Sequence, residues 1–365
     1  MGILSTNSSP VRTKPDSKNP APTAQPPGPF AWRSSVKNAI RSSVQLREML
    51  QLPTEKLQAG EPDLSSVADS VPESDYGFPV FAPREFVARI EKGNPSDPLL
   101  LQILPRSEES VDTPGFGQDP VGDGSATLTP GLIQKYHGRA LLITNGVCAV
   151  HCRYCFRRHF PYGDSRIGPE TLQPALDQLR ADSSVEEVIL SGGDPLMMAD
   201  DKFQQLVDQI SAIDHIRRSR IHTRLPVMIP SRVNEPLVTC LKKTRLTPVV
   251  VLHVNHSAEL RCPEVVAAID RLVNAGVPLL NQSVLLREIN DDLESLADLS
   301  RDLVNLRVMP YYLHLLDKVA GAAHFEVSQQ RGEQLIRELR QILPGYAVPR
   351  LSREVAGELS KQVLA

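Results

Sequence analysis

From residue 139 onward, short apolar runs alternate with amphipathic stretches. After the first unit the runs recur about every 30 residues, the length of one βα unit. Strands are expected at 140–144, 187–190, 220–223, 249–253, 278–284 and 307–313, and helices between them at 169–181, 201–213, 235–243, 263–275 and 292–305. Successive βα units without a hairpin signal predict an α/β fold on a parallel sheet. The spacing leaves open whether the units close as an incomplete barrel or lie as an open, doubly wound sheet. In both, chemistry belongs past the C-terminal strand ends.

The chain before this repeat has a different character. Residues 1–30 carry Pro10, Pro15, Pro20, Pro22, Pro26, Pro27 and Pro29 among Ser, Thr and Asn. That is too little apolar surface for a core and predicts a disordered tail. Residues 31–130 read as a helical extension and loop. Trp32, Val36, Ile40, Val44, Leu46 and Leu50 predict one helix ending before Pro53. A polar linker at 51–83, a short helix at 83–92 and a long loop at 105–130 follow. The βα repeat is assigned to 131–328 and a C-terminal helix with a closing segment to 329–365.

Lys and Arg total 40 against 43 Asp and Glu, a net charge of −3, which excludes a strongly basic nucleic-acid binder. No run approaches the ~18 apolar residues of a membrane helix, and the N-terminus has no apolar signal core. Five cysteines are too few for a disulfide scaffold and point to reduced thiols in a cytoplasmic protein.

Every expected strand end carries polar or metal-binding side chains. The densest is Cys148-x3-Cys152-x2-Cys155 after the first strand. Three thiolates within eight residues can hold three irons of a cubane cluster and leave the fourth open. Zinc is the alternative metal. It wants a fourth ligand; His151 could complete the site but is crowded, and Cys240 and Cys262 form no second pair. Gly192-Gly193-Asp194 follows the second strand, and His253 and Gln282 lie on the fourth and fifth.

The cysteine spacing, with Tyr154 before the last thiol, resembles the radical S-adenosylmethionine (SAM) superfamily. The segments 153–160, 191–196, 276–286 and 310–312 resemble its lysine 2,3-aminomutase branch. His137-Gly138-Arg139, Lys92-Gly93-Asn94-Pro95 and the stretch from Asp317 to Phe325 are most similar to the members that serve elongation factor P. The resemblance implies an incomplete (β/α)6 radical SAM barrel with a C-terminal lysine segment for pyridoxal phosphate (PLP). It implies a [4Fe-4S] cluster on Cys148, Cys152 and Cys155, SAM on the open iron, and PLP on Lys361.

Roles follow position by position. Gly192, Gly193, Asp194, Arg224, His253 and Gln282 match residues that contact SAM, and Tyr136 matches a tyrosine near PLP. Arg157 matches the clamp of the substrate carboxylate, a task for a planar fork. Asp317 and Glu354 match the acids that hold the distal ammonium of L-lysine. Taken alone, Lys361 would be a solvated tail charge and each acid a turn carboxylate. The implied product is (R)-β-lysine, attached to elongation factor P by a separate ligase, with a flavodoxin- or ferredoxin-like reductant. A metabolic mutase making (S)-β-lysine is the alternative, and a non-catalytic iron–sulfur or zinc protein the remote one. A homo-oligomer stays open.

Overall fold

The structure is a computed structural model that describes residues 31–53, 77–163 and 165–365. The expected tail (1–30) and most of the expected linker (51–83) lie outside the described residues.

Where the apolar period predicts one N-terminal helix, the chain forms two, α1 (Ala31–Lys37) and α2 (Ser43–Leu50). Ile40 leaves the helix to bridge Ala82. Ser42 then restarts it, its Oγ accepting from the Gln45 amide. The period survives the break because Trp32, Ile40, Leu46 and Leu50 all enter the same core. The helix expected at 83–92 is a single turn, α3 (Arg84–Val87), followed by looser turns that still bury Ile90.

The strands are β1 (Thr127–Thr129), β2 (Leu132–Tyr136), β3 (Arg139–Asn145), β4 (Glu187–Gly192), β5 (Arg218–Thr223), β6 (Thr247–His253), β7 (Leu279–Val284), β8 (Met309–His314), β9 (Arg350–Arg353) and β10 (Gln362–Val363). They form one sheet in sequence order. From β3 to β9 every pairing is parallel. The crossovers carry α4 (Leu172–Ala181), α5 (Asp200–Ser211), α6 (Leu225–Met228), α7 (Glu235–Lys243), α8 (Pro263–Asn274), α9 (Leu293–Asn305) and α10 (Gln329–Ile342). β10 does not return to β1, so this is an incomplete (β/α)6 barrel.

An antiparallel hairpin flanks the parallel run at each end: β1–β2–β3 on one side and β9–β10 on the other. Neither hairpin is among the strands expected from the sequence. The turns Pro130-Gly131 and His137-Gly138 put glycine at φ +84° and +77°, a two-residue hairpin signal. β2 has an apolar pair rather than alternation, and only Leu132 and Ile133 are buried. The helices press apolar faces onto the sheet in one large core. A second cluster, Leu335, Ile336 and Leu339 of α10 with Leu313 and Leu351, seats the C-terminal hairpin.

Candidate active site at the barrel mouth

The loop after β3 is stitched to the end of β4. Gly193 N donates to Asn145 O and Asp194 N to Val147 O, each at 2.8 Å, while Asn145 Nδ2 donates to Asp194 O at 2.8 Å. The approach needs two glycines. A Cβ on Gly192, at φ +122°, would stand 2.6 Å from Asn145 O, and one on Gly193 2.3 Å from Val147 O.

The three cysteines stand close enough to act on one another. Burial, then Cys155, Asp194 and Cys152, pushes the Cys148 thiol well above its ordinary value. Burial and Cys152 push Cys155 up to about 11. Cys152 is buried and Cys148 and Cys155 are half-buried, and thiols gathered in this way fit a site whose metal takes them as thiolates. Among the described residues no three His, Cys, Asp or Glu side chains stand together as ligands of a single ion. A cubane asks something else, one thiolate for each of three separate irons. His151 is not a further ligand: its ring stacks on Phe78 at 4.7 Å and Nδ1 meets Pro79 O at 2.8 Å.

Two residues matched to SAM are engaged with the protein itself. The Asp194 carboxylate accepts from Thr223 Oγ1 at 2.8 Å and from the amides of Leu196, Arg224 and Leu225. Burial raises it to about 6 despite these bonds. Arg224 donates from Nη1 to Cys152 Sγ and to Tyr154 OH, each at 2.7 Å. Its Nη2 donates to Glu259 Oε2 at 2.6 Å and Gln102 Oε1 at 3.1 Å.

The interior of the strands carries His222, His253, Gln282 and His314. Gln282 Nε2 lies 3.4 Å from His222 Nδ1, and Ser352 Oγ 3.0 Å from His314 Nδ1. Burial followed by Arg224 lowers His253 to about 3, and burial also lowers His222 and His314, with Lys361 acting on both. These rings are therefore neutral at pH 7. His222 Nε2, His253 Nε2 and Tyr136 OH are buried without a partner. Orphaned polar atoms of this kind are what a polar ligand would satisfy.

Across the mouth runs a row of alternating charge. Arg157 Nε meets Asp123 Oδ2 at 2.7 Å, and Lys135 Nζ meets Asp123 Oδ1 at 2.6 Å. Lys135 Nζ then meets Glu354 Oε1 at 2.7 Å, and Lys361 Nζ meets Glu354 Oε2 at 2.5 Å. Asp317 faces Lys361 and Glu354, and burial raises its carboxyl to about 7. Arg157 also donates from Nη1 to Ser191 Oγ at 3.0 Å. These two partners take two of its five N–H groups and leave Nη2 and one Nη1 hydrogen for a carboxylate.

The structure thus gathers Glu354, Lys361, Asp317 and Tyr136 on one side of the mouth and the cysteines, Arg224 and His253 on the other, with Arg157 reaching from Cys155 to Asp123 between them. Asp123, Lys135, His222 and His314 were not singled out from sequence. Asp123 lies in a stretch without periodicity or motif. His314 stood in a strand-end run, Tyr311 to Asp317, and was a legible signal.

Fold and site together define a class: a partial parallel barrel with three thiols, a glycine turn and orphaned polar groups at its mouth is a radical SAM iron–sulfur enzyme. A family model described as a 4Fe-4S single cluster domain matches residues 137–221. The chain is 44% identical to an L-lysine 2,3-aminomutase of Escherichia coli over 94% of its own length and 96% of that protein's. It is 43% identical to one of Haemophilus influenzae over 92% and 95%, and 33% identical to one of Clostridium subterminale over 87% and 74%. Among solved structures, a radical SAM methyltransferase of Sphaerobacter thermophilus matches with TM-score 0.44 and 18% identity, over 61% of this chain and 68% of that one. The chain belongs to the L-lysine 2,3-aminomutase family. It is an isomerase whose cofactors are a [4Fe-4S] cluster, SAM and PLP. No helix among the described residues is long and apolar enough to cross a membrane.

Proposed function

We propose that the protein moves the α-amino group of L-lysine from C2 to C3, giving (R)-β-lysine for the modification of elongation factor P. One observation carries the substrate: a primary alkylammonium, Lys361 Nζ, is already paired with Glu354, within electrostatic reach of the Asp317 carboxyl. A pocket that holds one lysine ammonium is chemically fitted to hold another, and it would reject an acidic side chain. The elongation factor P destination is supported by the stretches 92–95, 137–139 and 317–325.

When bound, the cofactors supply the electron, the organic radical and the imine; the chain supplies position. Cys148, Cys152 and Cys155 would hold the cluster. The Gly192-Gly193 turn lets the β4 end approach it. Arg157, seated on Asp123 and Ser191, presents its remaining N–H groups to the substrate carboxylate. Asp317 and Glu354 hold the distal ammonium, and Lys361 offers the amine that carries PLP. The neutral histidines line the lumen without adding charge.

The test is an anaerobic assay on reconstituted protein with SAM, PLP, L-lysine and a strong reductant, resolved by chiral chromatography with mass detection. Mostly (R)-β-lysine is expected. Mostly (S)-β-lysine would assign a metabolic mutase. No β-lysine from protein holding cluster and PLP would mean another amino acid is the substrate, and failure to bind SAM would leave a non-catalytic metal protein.

A further inference from the structure

The guanidinium of Arg224 is held on four sides. Nη1 reaches Cys152 Sγ and Tyr154 OH, and Nη2 reaches Glu259 and Gln102. Tyr154 OH also receives Asn255 Nδ2 at 2.6 Å. Glu259, fully buried, spends its other oxygen on the amides of Asn255 and His256 and on Gln102 Nε2. The Arg224 backbone is fixed as well, because its amide donates to Asp194 Oδ2 at 2.8 Å. A continuous path therefore runs from the glycine turn through Asp194 to Arg224 and on to Cys152. Only Arg224 Nε is left without a partner, and a carboxylate gripped by an arginine fork needs two parallel N–H groups.

We infer that Arg224 is a positioning residue for Cys152 that holds its sulfur and raises the reduction potential of the cluster, and is not the clamp of the SAM carboxylate. The inference rests on the reading above only for the presence of the cluster. Reduction adds one negative charge to a group already ligated by three thiolates. A cationic N–H donor on a ligand sulfur favours that reduced state, and hydrogen bonds to sulfur are a recognised lever on such potentials. Glu259, the buried anion behind the guanidinium, pulls the other way.

The test is an EPR-monitored redox titration of reconstituted protein without SAM, PLP or lysine. Arg224→Gln is expected to move the midpoint to more negative potential. Arg224→Lys, which keeps the charge but not the fork, should fall between it and the parent. Glu259→Gln should move it the opposite way, whereas a merely loosened loop would shift all three variants together. If Arg224→Gln fails to take up iron, the other two variants still decide the sign. A midpoint equal to the parent's in a variant with full iron content would overturn the inference. Weakened SAM binding at that unchanged potential would return Arg224 to the SAM carboxylate. Parent protein with a normal cluster but no β-lysine would sink the proposed substrate and leave this measurement standing.

Discussion

Asp317 stands among Lys361, Glu354, Lys135 and Asp123. Burial is the largest influence and the two acids add to it, so the carboxyl rises to about 7 although both lysines pull it down. The folded, cofactor-free protein therefore binds a proton here more tightly than the unfolded chain, whose value is 3.8. The stability tied to Asp317 is complete below that unfolded value and is lost as pH rises toward 7. Asp317→Asn is neutral throughout, so it is expected to melt higher than the parent at pH 8, with the gap closing as pH falls to 5. Catalysis asks the reverse, because only the carboxylate can hold an ammonium. The KM for lysine should fall between pH 6 and 8 in the parent. In Asp317→Asn it should be flat and raised about 10- to 100-fold, the weight of one charge-assisted hydrogen bond. SAM cleavage should be nearly untouched; equal loss of both activities would make Asp317 structural. Lys361→Ala separates the other end of the row. It should lose the absorption band of bound PLP and keep its iron, and a band that persists would place the PLP lysine elsewhere.

Among the elements, the end of β4 and the cysteine loop are fitted to each other through glycine. At Gly193 even a methyl group would stand 2.3 Å from Val147 O, one residue before Cys148. Gly193→Ala must therefore push the loop away or distort it, at about 1–3 kcal/mol for overpacking. Iron content after reconstitution should drop well below the parent's while the helical circular dichroism holds, and undiminished iron would show that the loop yields freely. The same elements show what a sequence makes legible. Parallel strands buried on both faces read as apolar runs, and tightly spaced thiols stand out by their rarity, so the repeat and the cysteine loop could be placed unaided. The hairpins at the sheet ends could not. β2 lacks alternation, β10 has two residues, and His137-Gly138 reads as a motif as readily as a turn. Asp123 lies in the stretch expected as loop, and Lys135 in the overlooked β2. Their importance comes from meeting Arg157 and Glu354 across chain separations of 34 and 219 residues, which no local pattern encodes.

At the scale of the whole molecule, the barrel is open and something other than strand pairing must hold its gap. β1 ends the sheet on one side and β10 on the other. Lys135 belongs to the first of these ends, Glu354 to the second, and they meet at 2.7 Å with both side chains 15% exposed. Gly122 lies near the same seam, where an added Cβ would come 3.0 Å from that of Ala356. The charge row therefore ties the C-terminal hairpin, and Lys361 with it, across the gap to β2. A partly buried, networked pair can carry that load where an isolated surface pair would contribute little. Lys135→Met keeps the apolar stem and removes the tie. Amide hydrogen exchange over residues 350–365 is expected to quicken and PLP binding to weaken at least about tenfold, roughly 1.4 kcal/mol. Iron content should stay at the parent's level, because the cysteine loop is held by β4 and by Arg224. If exchange over 350–365 is unchanged, the second core cluster of α10, Leu313 and Leu351 seats the hairpin alone, and the charges only follow a gap that packing has already closed.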